Sequence, residues 1–143
     1  RVEDCVELVR SPCWKKGHLS RMWSDRYLIL GWSRKDKQYW LFIFHGVDDR
    51  SGIREIVNVT CCIIEPPHGS NPKYPYALRI EPDEGLRGGS QEKYVVAFNS
   101  SQRLADWRSN LKAAGLGRPP KQHGAVDRPG ATIDRAAVER RLE

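Results

Sequence analysis

Seven basic side chains crowd into residues 13–37 of this 143-residue chain: Lys15, Lys16, Arg21, Arg26, Arg34, Lys35 and Lys37, opposed there only by Asp25 and Asp36. Guanidinium and ammonium groups at that density suit one task above others, the holding of phosphate. Arg supplies a planar two-pronged donor and Lys a point charge. The whole chain is net +6, so this stretch carries most of the excess and points to an anionic partner.

The remaining reactive side chains suggest little chemistry. The four histidines and four cysteines show no metal-ligand spacing, and Cys61 and Cys62, being adjacent, would face opposite sides of a strand. Free thiols in a reducing cytosol are the expectation, rather than a disulfide framework. Asp48-Asp49 and Asp83-Glu84 are paired carboxylates in expected turns, where solvation accounts for them. Gly85-Leu86-Arg87-Gly88-Gly89 joins two strands and opens no helix, so it is no phosphate cradle. No nucleophile elbow or nucleotide loop is present. The sequence therefore reads as a non-catalytic protein with no cofactor and no metal.

The elements that must position the cations follow from periodicity. Strand-like runs cover residues 13–20, 26–32 and 38–45, then 53–64 as one long strand or two short ones with a break at Asn58-Val59-Thr60, then 74–80 and 93–98. The first two runs are close enough to form a hairpin. From Ser101 the period changes: Leu104, Trp107, Leu111 and Ala114 make one stripe of a helix. Ser100 or Ser101 caps its start, and Gly115, Gly117, Pro119 and Pro120 end it. The fold class is mainly β with one C-terminal helix. A 39% hydrophobic share against 29% charged is enough for a core and for solubility.

Residues 1–12 read as an N-terminal extension, where Val2, Cys5, Val6 and Val9 have helical spacing and a docking face. Residues 116–143 read as a basic, Gly- and Pro-rich tail with a short, marginal helix at 131–142. The chain opens on Arg1, not Met, so the expectation is a piece of a longer protein from which a lipid anchor could have been removed, and Leu142-Glu143 reads as a cloning remnant.

Taken in order, the residues at the joints resemble a pleckstrin homology (PH) domain over residues 13–115. Lys15-Lys16-Gly17-His18-Leu19 is similar to that family's first strand. Trp23-Ser24-Asp25-Arg26-Tyr27-Leu28-Ile29-Leu30 is similar to the start of its second. Tyr94-Val95-Val96-Ala97-Phe98 followed by Trp107 is similar to its last strand and the helix Trp that plugs the barrel. The resemblance implies seven strands in two nearly orthogonal sheets, a helix capping one corner, and a non-catalytic docking module. It also implies a phosphoinositide pocket between the first two strands and the third-to-fourth region.

Strand parity supports the same place independently. Lys15, Gly17 and Leu19 share one face, as do Arg26, Leu28 and Leu30. With Leu19 and Leu30 in the core, Lys15 and Arg26 share the inward surface and belong at the barrel mouth, because a charge cannot lie deep without a partner. The alternative is that both pair with local carboxylates or reach water. Ser24 stands where the family has a basic residue, and Asp25 would repel a polyphosphorylated ring. A single phosphate monoester, as in phosphatidic acid, needs only Lys15, Arg21 and Arg26, with Lys16, Arg34, Lys35 and Lys37 adding diffuse attraction. Met22-Trp23 at the hairpin tip fits an interfacial wedge, the alternative being Trp23 folded back on its own sheet.

The expected function is membrane docking through anionic phospholipid head groups, phosphatidic acid or a phosphoinositide. That places the protein in the cytoplasm, peripheral on the cytosolic face of a membrane. The second reading is a protein-docking module on the same scaffold, with a protein partner and little lipid affinity. Nucleic acid is set aside as a partner: aromatics near the basic stretch would allow stacking, but no RNA-binding motif is present.

Overall fold

The computed structural model describes residues 1–83 and 93–121. The expected helix at 131–142 and the Gly85–Gly89 segment lie outside the described residues.

Among the described residues seven strands form: β1 (Val6–Lys16), β2 (Trp23–Ser33), β3 (Gln38–Phe44), β4 (Ile53–Asn58), β5 (Ile63–Glu65), β6 (Tyr76–Glu81) and β7 (Tyr94–Phe98), followed by the helix α1 (Ser101–Gly115). Their order in the sheet is β4-β3-β2-β1-β7-β6-β5, and every pairing among the described residues is antiparallel. The two layers that the resemblance implies are continuous through β1. One edge of β1 pairs with β2 along its length, while the other pairs with β7 only at Trp14 and Lys15. The sheet curls there into a half-barrel. Leu28, Leu30, Leu41 and Ile43 from one wall thus meet Leu78, Ile80, Tyr94, Val96 and Phe98 from the other.

α1 plugs this core with the four residues of its apolar stripe, all buried. Trp107 is fully buried, its ring 5.5 Å from that of Phe98 and nearly parallel. Its indole N–H donates to Ser11 Oγ at 2.9 Å, so the one polar atom of the plug is satisfied. Ser100 Oγ accepts from the Arg103 N–H at 3.1 Å and caps the start of α1.

The structure corrects the N-terminus. Residues 6–12 belong to β1, and only Val2–Asp4 turn helically, as a short 3-10 segment. The far half of β2 needs a partner for its backbone groups, and Val6 to Val9 supply it opposite Trp32, Gly31 and Leu30. The domain therefore begins before residue 13. Val2 and Cys5 do dock, covering Ile29, Phe42 and Phe44 on the outer face of β2 and β3. Gly31 lets them approach, since a Cβ there would lie 2.7 Å from Cys5 Cβ. The 53–64 run divides into β4 and β5, with Cys61 in the left-handed region (φ 63) at the break. No helix among the described residues is long and apolar enough to cross a membrane.

Candidate functional site

Register sets which loops meet. Lys16 opposite Trp23, Phe44 opposite Ile53 and Ile80 opposite Tyr94 bring the β1–β2 turn, the β3–β4 turn and the start of β7 to one open end. A cavity of about 810 Å³ sits at this mouth, and Lys15, Arg26, Arg54 and Lys93 line it.

Each cation is held differently. Lys15 is buried, with Nζ 5.4 Å from the centroid of the Tyr94 ring. The Tyr94 hydroxyl donates to a carboxylate oxygen of Glu55. Arg26 Nη1 donates to the carbonyls of Asp25 (2.7 Å) and His45 (3.0 Å), which fixes the guanidinium against the β3–β4 turn. Arg26 Nε is buried with no hydrogen-bond partner. Arg54 is exposed at the start of β4, and Lys93 Nζ lies 3.5 Å from Glu81. The local field is visible at Cys13, paired with Arg26 across the hairpin: burial pushes its thiol well up, while Arg26 and Lys15 pull the other way.

The expected site residues do not stay together. Lys15 and Arg26 face the mouth as parity requires. Asp25 does not: it alternates to the outer face, opposite Trp14, and is exposed, whereas Ser24 lines the mouth. The repulsion expected of Asp25 is thus directed away from the cavity. Lys16 and Arg21 line a second cavity, of about 900 Å³, on the outer face. Arg34, Lys35 and Lys37 occupy the β2–β3 turn, at the other end of the eleven-residue β2 and about 30 Å from the mouth at the usual rise per residue. Sequence proximity misled there, because the two ends of one strand are near in number and far in space.

The hairpin tip also differs. β1 ends at Lys16, and Gly17 N–H bonds to the Met22 carbonyl at 2.8 Å, so strand alternation stops before Leu19. Leu19 is 99% exposed rather than in the core, and Met22 is 69% exposed. Trp23 is no wedge. It stacks on Tyr74 with centroids 4.3 Å apart, and Trp14 meets the same ring edge-on at 5.4 Å.

Sequence reasoning missed Arg54, Lys93, Glu55 and Tyr74 as site residues. None carries a local signal, since each reaches its place through the curl of the sheet or the 66–75 loop. Among the paired carboxylates, Asp49 accepts from Arg10 at 3.0 Å and Asp48 from the Arg50 N–H at 3.0 Å, both as turn and ion-pair contacts.

Seven antiparallel strands curled around one C-terminal helix, with an inward Trp plug, match a solved architecture. The C-terminal PH domain of pleckstrin in complex with D-myo-Ins(1,2,3,5,6)P5 superposes with a TM-score of 0.62 at 13% identity, covering 77% of this chain and 96% of that one. The chain has the pleckstrin homology fold. A structure of the same domain of human pleckstrin gives 0.60 at 14% identity, covering 80% and 92%. The Slm1 PH domain in complex with inositol-4-phosphate gives 0.56 at 14%, covering 76% and 96%. No protein-family model and no curated protein matches this sequence. At these identities it is the PH fold that is shared, and the roles of individual residues have to be argued from their own geometry.

Proposed function

We propose that this PH-fold chain is a non-catalytic membrane-docking module that takes an anionic phospholipid head group in its mouth. Its place is peripheral, on a cytosolic leaflet whose anionic lipids set up a negative surface potential. The observation that carries this reading is Arg26: a guanidinium anchored through Nη1 by two carbonyls, at a cavity that Lys15, Arg54 and Lys93 also line, with its Nη2 left without a partner among the described residues. A guanidinium already held in place offers a phosphate oxygen a charge-assisted hydrogen bond with little further ordering. Two solved neighbours are complexes with inositol phosphates, which supports the same ligand class.

Four cations with Asp25 turned away suit a phosphoinositide better than the single phosphate of phosphatidic acid. Leu19 and Met22 on one loop and Val47 on another, all largely exposed, flank the mouth and would enter the interfacial layer as the head group is bound. Arg34, Lys35 and Lys37 are too distant to touch the same ligand.

Sedimentation with phosphatidylcholine vesicles carrying phosphatidic acid, phosphatidylserine or a phosphoinositide, at matched surface charge, tests this. The expected result is binding that falls with salt, is strongest for phosphoinositide, and weakens in Arg54→Ala and in Leu19→Ser/Met22→Ser. Binding that ignores acidic lipid, or that both variants leave intact, would remove the mouth as the site.

A further inference from the structure

The larger cavity lies on the other face of the hairpin from the mouth and meets it at the strand end, where Gly17, His18 and Lys93 line both. It lies between the outer face of β1, β7 and β6 and the 66–75 loop, and extends to Leu104 and Arg108 on α1. The loop is held down by its Tyr74, sandwiched against Trp23 and Trp14. Among the described residues the lining includes no Asp or Glu. It does include Lys16, Arg21 and Arg108, none of which has an ion-pair partner among the described residues. Arg79, also in the wall, is already balanced by Glu65 at 3.6 Å and Glu81 at 3.7 Å.

We infer that this groove takes an extended acidic peptide segment of a partner protein. Shape and composition separate it from a head-group site. Lys93 lines one end, and Ala77, opposite Ala97, lies four β7 residues further along, about 13 Å at the usual rise, with Leu104 and Arg108 beyond. That length holds about four residues of extended chain and exceeds one phosphorylated ring. The three cations are spread along it, with Lys16 and Arg21 on the hairpin and Arg108 on the helix. The walls between them are apolar, made by Trp23, Tyr74 and the prolines of the loop, and would receive the aliphatic parts of a peptide. Alternation along β1 puts Lys15 in the mouth and Lys16 in the groove, so a membrane and a peptide can be held from opposite faces of one hairpin.

The probe is fluorescein-labelled hexaglutamate, read by fluorescence polarisation, beside vesicle sedimentation of the same proteins. Saturable binding is expected. Arg108→Glu and Lys16→Glu should each weaken it about tenfold or more, the scale of one lost charge-assisted hydrogen bond. Arg108→Glu should leave vesicle binding unchanged, and Arg26→Ala should leave hexaglutamate binding within twofold. Arg108 is exposed on the helix surface, so its replacement does not threaten the fold. The inference is overturned if hexaglutamate does not saturate. It is overturned equally if Arg34→Glu/Lys35→Glu, at the remote turn, weakens binding as much, which would mean mere attraction to net charge. It also fails if Arg108→Glu loses vesicles instead of peptide, or if inositol 4-phosphate displaces the peptide, either of which would make the groove a head-group site. A protein that ignores vesicles yet shows the peptide pattern would sink the membrane reading alone.

Discussion

Replacing Arg26 by Lys separates charge from geometry at the mouth. The wild-type guanidinium spends Nη1 on the carbonyls of Asp25 and His45 and keeps Nη2 without a partner among the described residues. Lys keeps the charge, but its single ammonium cannot both hold the turn and present the second prong of the fork. A hydrogen bond to a charged group contributes about 1.5–3 kcal/mol net. At about 1.4 kcal/mol per factor of ten, Arg26→Lys should weaken head-group binding roughly tenfold to a hundredfold. Its dependence on salt should hardly change, because that slope reports charge rather than bond direction. Arg26→Ala should lose a further ~1 kcal/mol of long-range attraction, about fivefold, and flatten the salt dependence. The assay is vesicle sedimentation across a range of ionic strengths, with thermal unfolding of each variant to show that the β3–β4 turn survives. If Arg26→Lys binds as tightly as wild type at every salt concentration, the guanidinium fork is not the ligand's donor and Arg26 merely ties down a turn.

Three further outcomes concern the core, the thiols and one carboxyl. Ser11→Ala leaves the fully buried Trp107 N–H without its acceptor and should cost about 1–3 kcal/mol, read from the denaturant midpoint; an unchanged midpoint would show that the bond is dispensable. Under a thiol reagent, exposed Cys61 should react first, whereas burial pushes the Cys62 thiol up to about 12 and Cys13 still higher. Those two should react only as the protein unfolds, and rapid labelling of either in the native state would contradict its burial. The Glu81 carboxyl is held below its ordinary value, first by a hydrogen bond with Glu65 and then by Lys93 and Arg79. A depressed carboxyl stabilises the fold fully above the unfolded value and ceases to do so as pH falls through the folded one. Glu81→Gln should therefore flatten the acid limb of the stability profile, and an identical limb would show that the contact carries no linkage.

What could be read from the sequence was whatever is local along the chain. The period-two runs became strands, and the stripe of Leu104, Trp107, Leu111 and Ala114 became the plugging helix, because alternation and helical spacing are properties of neighbouring residues. Lys15 and Arg26 were legible for the same reason, since parity within one hairpin puts both inward. Val6 to Val9 looked helical, but their state was decided by the unpaired half of β2. Leu19 changed sides because a turn interrupted the parity that assigned it, and Trp23 took the folded-back alternative because Tyr74 of a distant loop stacks on it.

Local patterning was enough to set the element order, the inward pair of cations and an excess of positive charge in one stretch. How that charge is shared out depends on long-range packing. The curl of the sheet carried Arg54 and Lys93 to the mouth from distant parts of the chain and drew Tyr74 over Trp23 to wall a second groove. An antiparallel strand meanwhile set Arg34, Lys35 and Lys37 at the far end from the site their numbers suggested. Contacts of this kind depend on which strands become neighbours, and no window of adjacent residues contains that information.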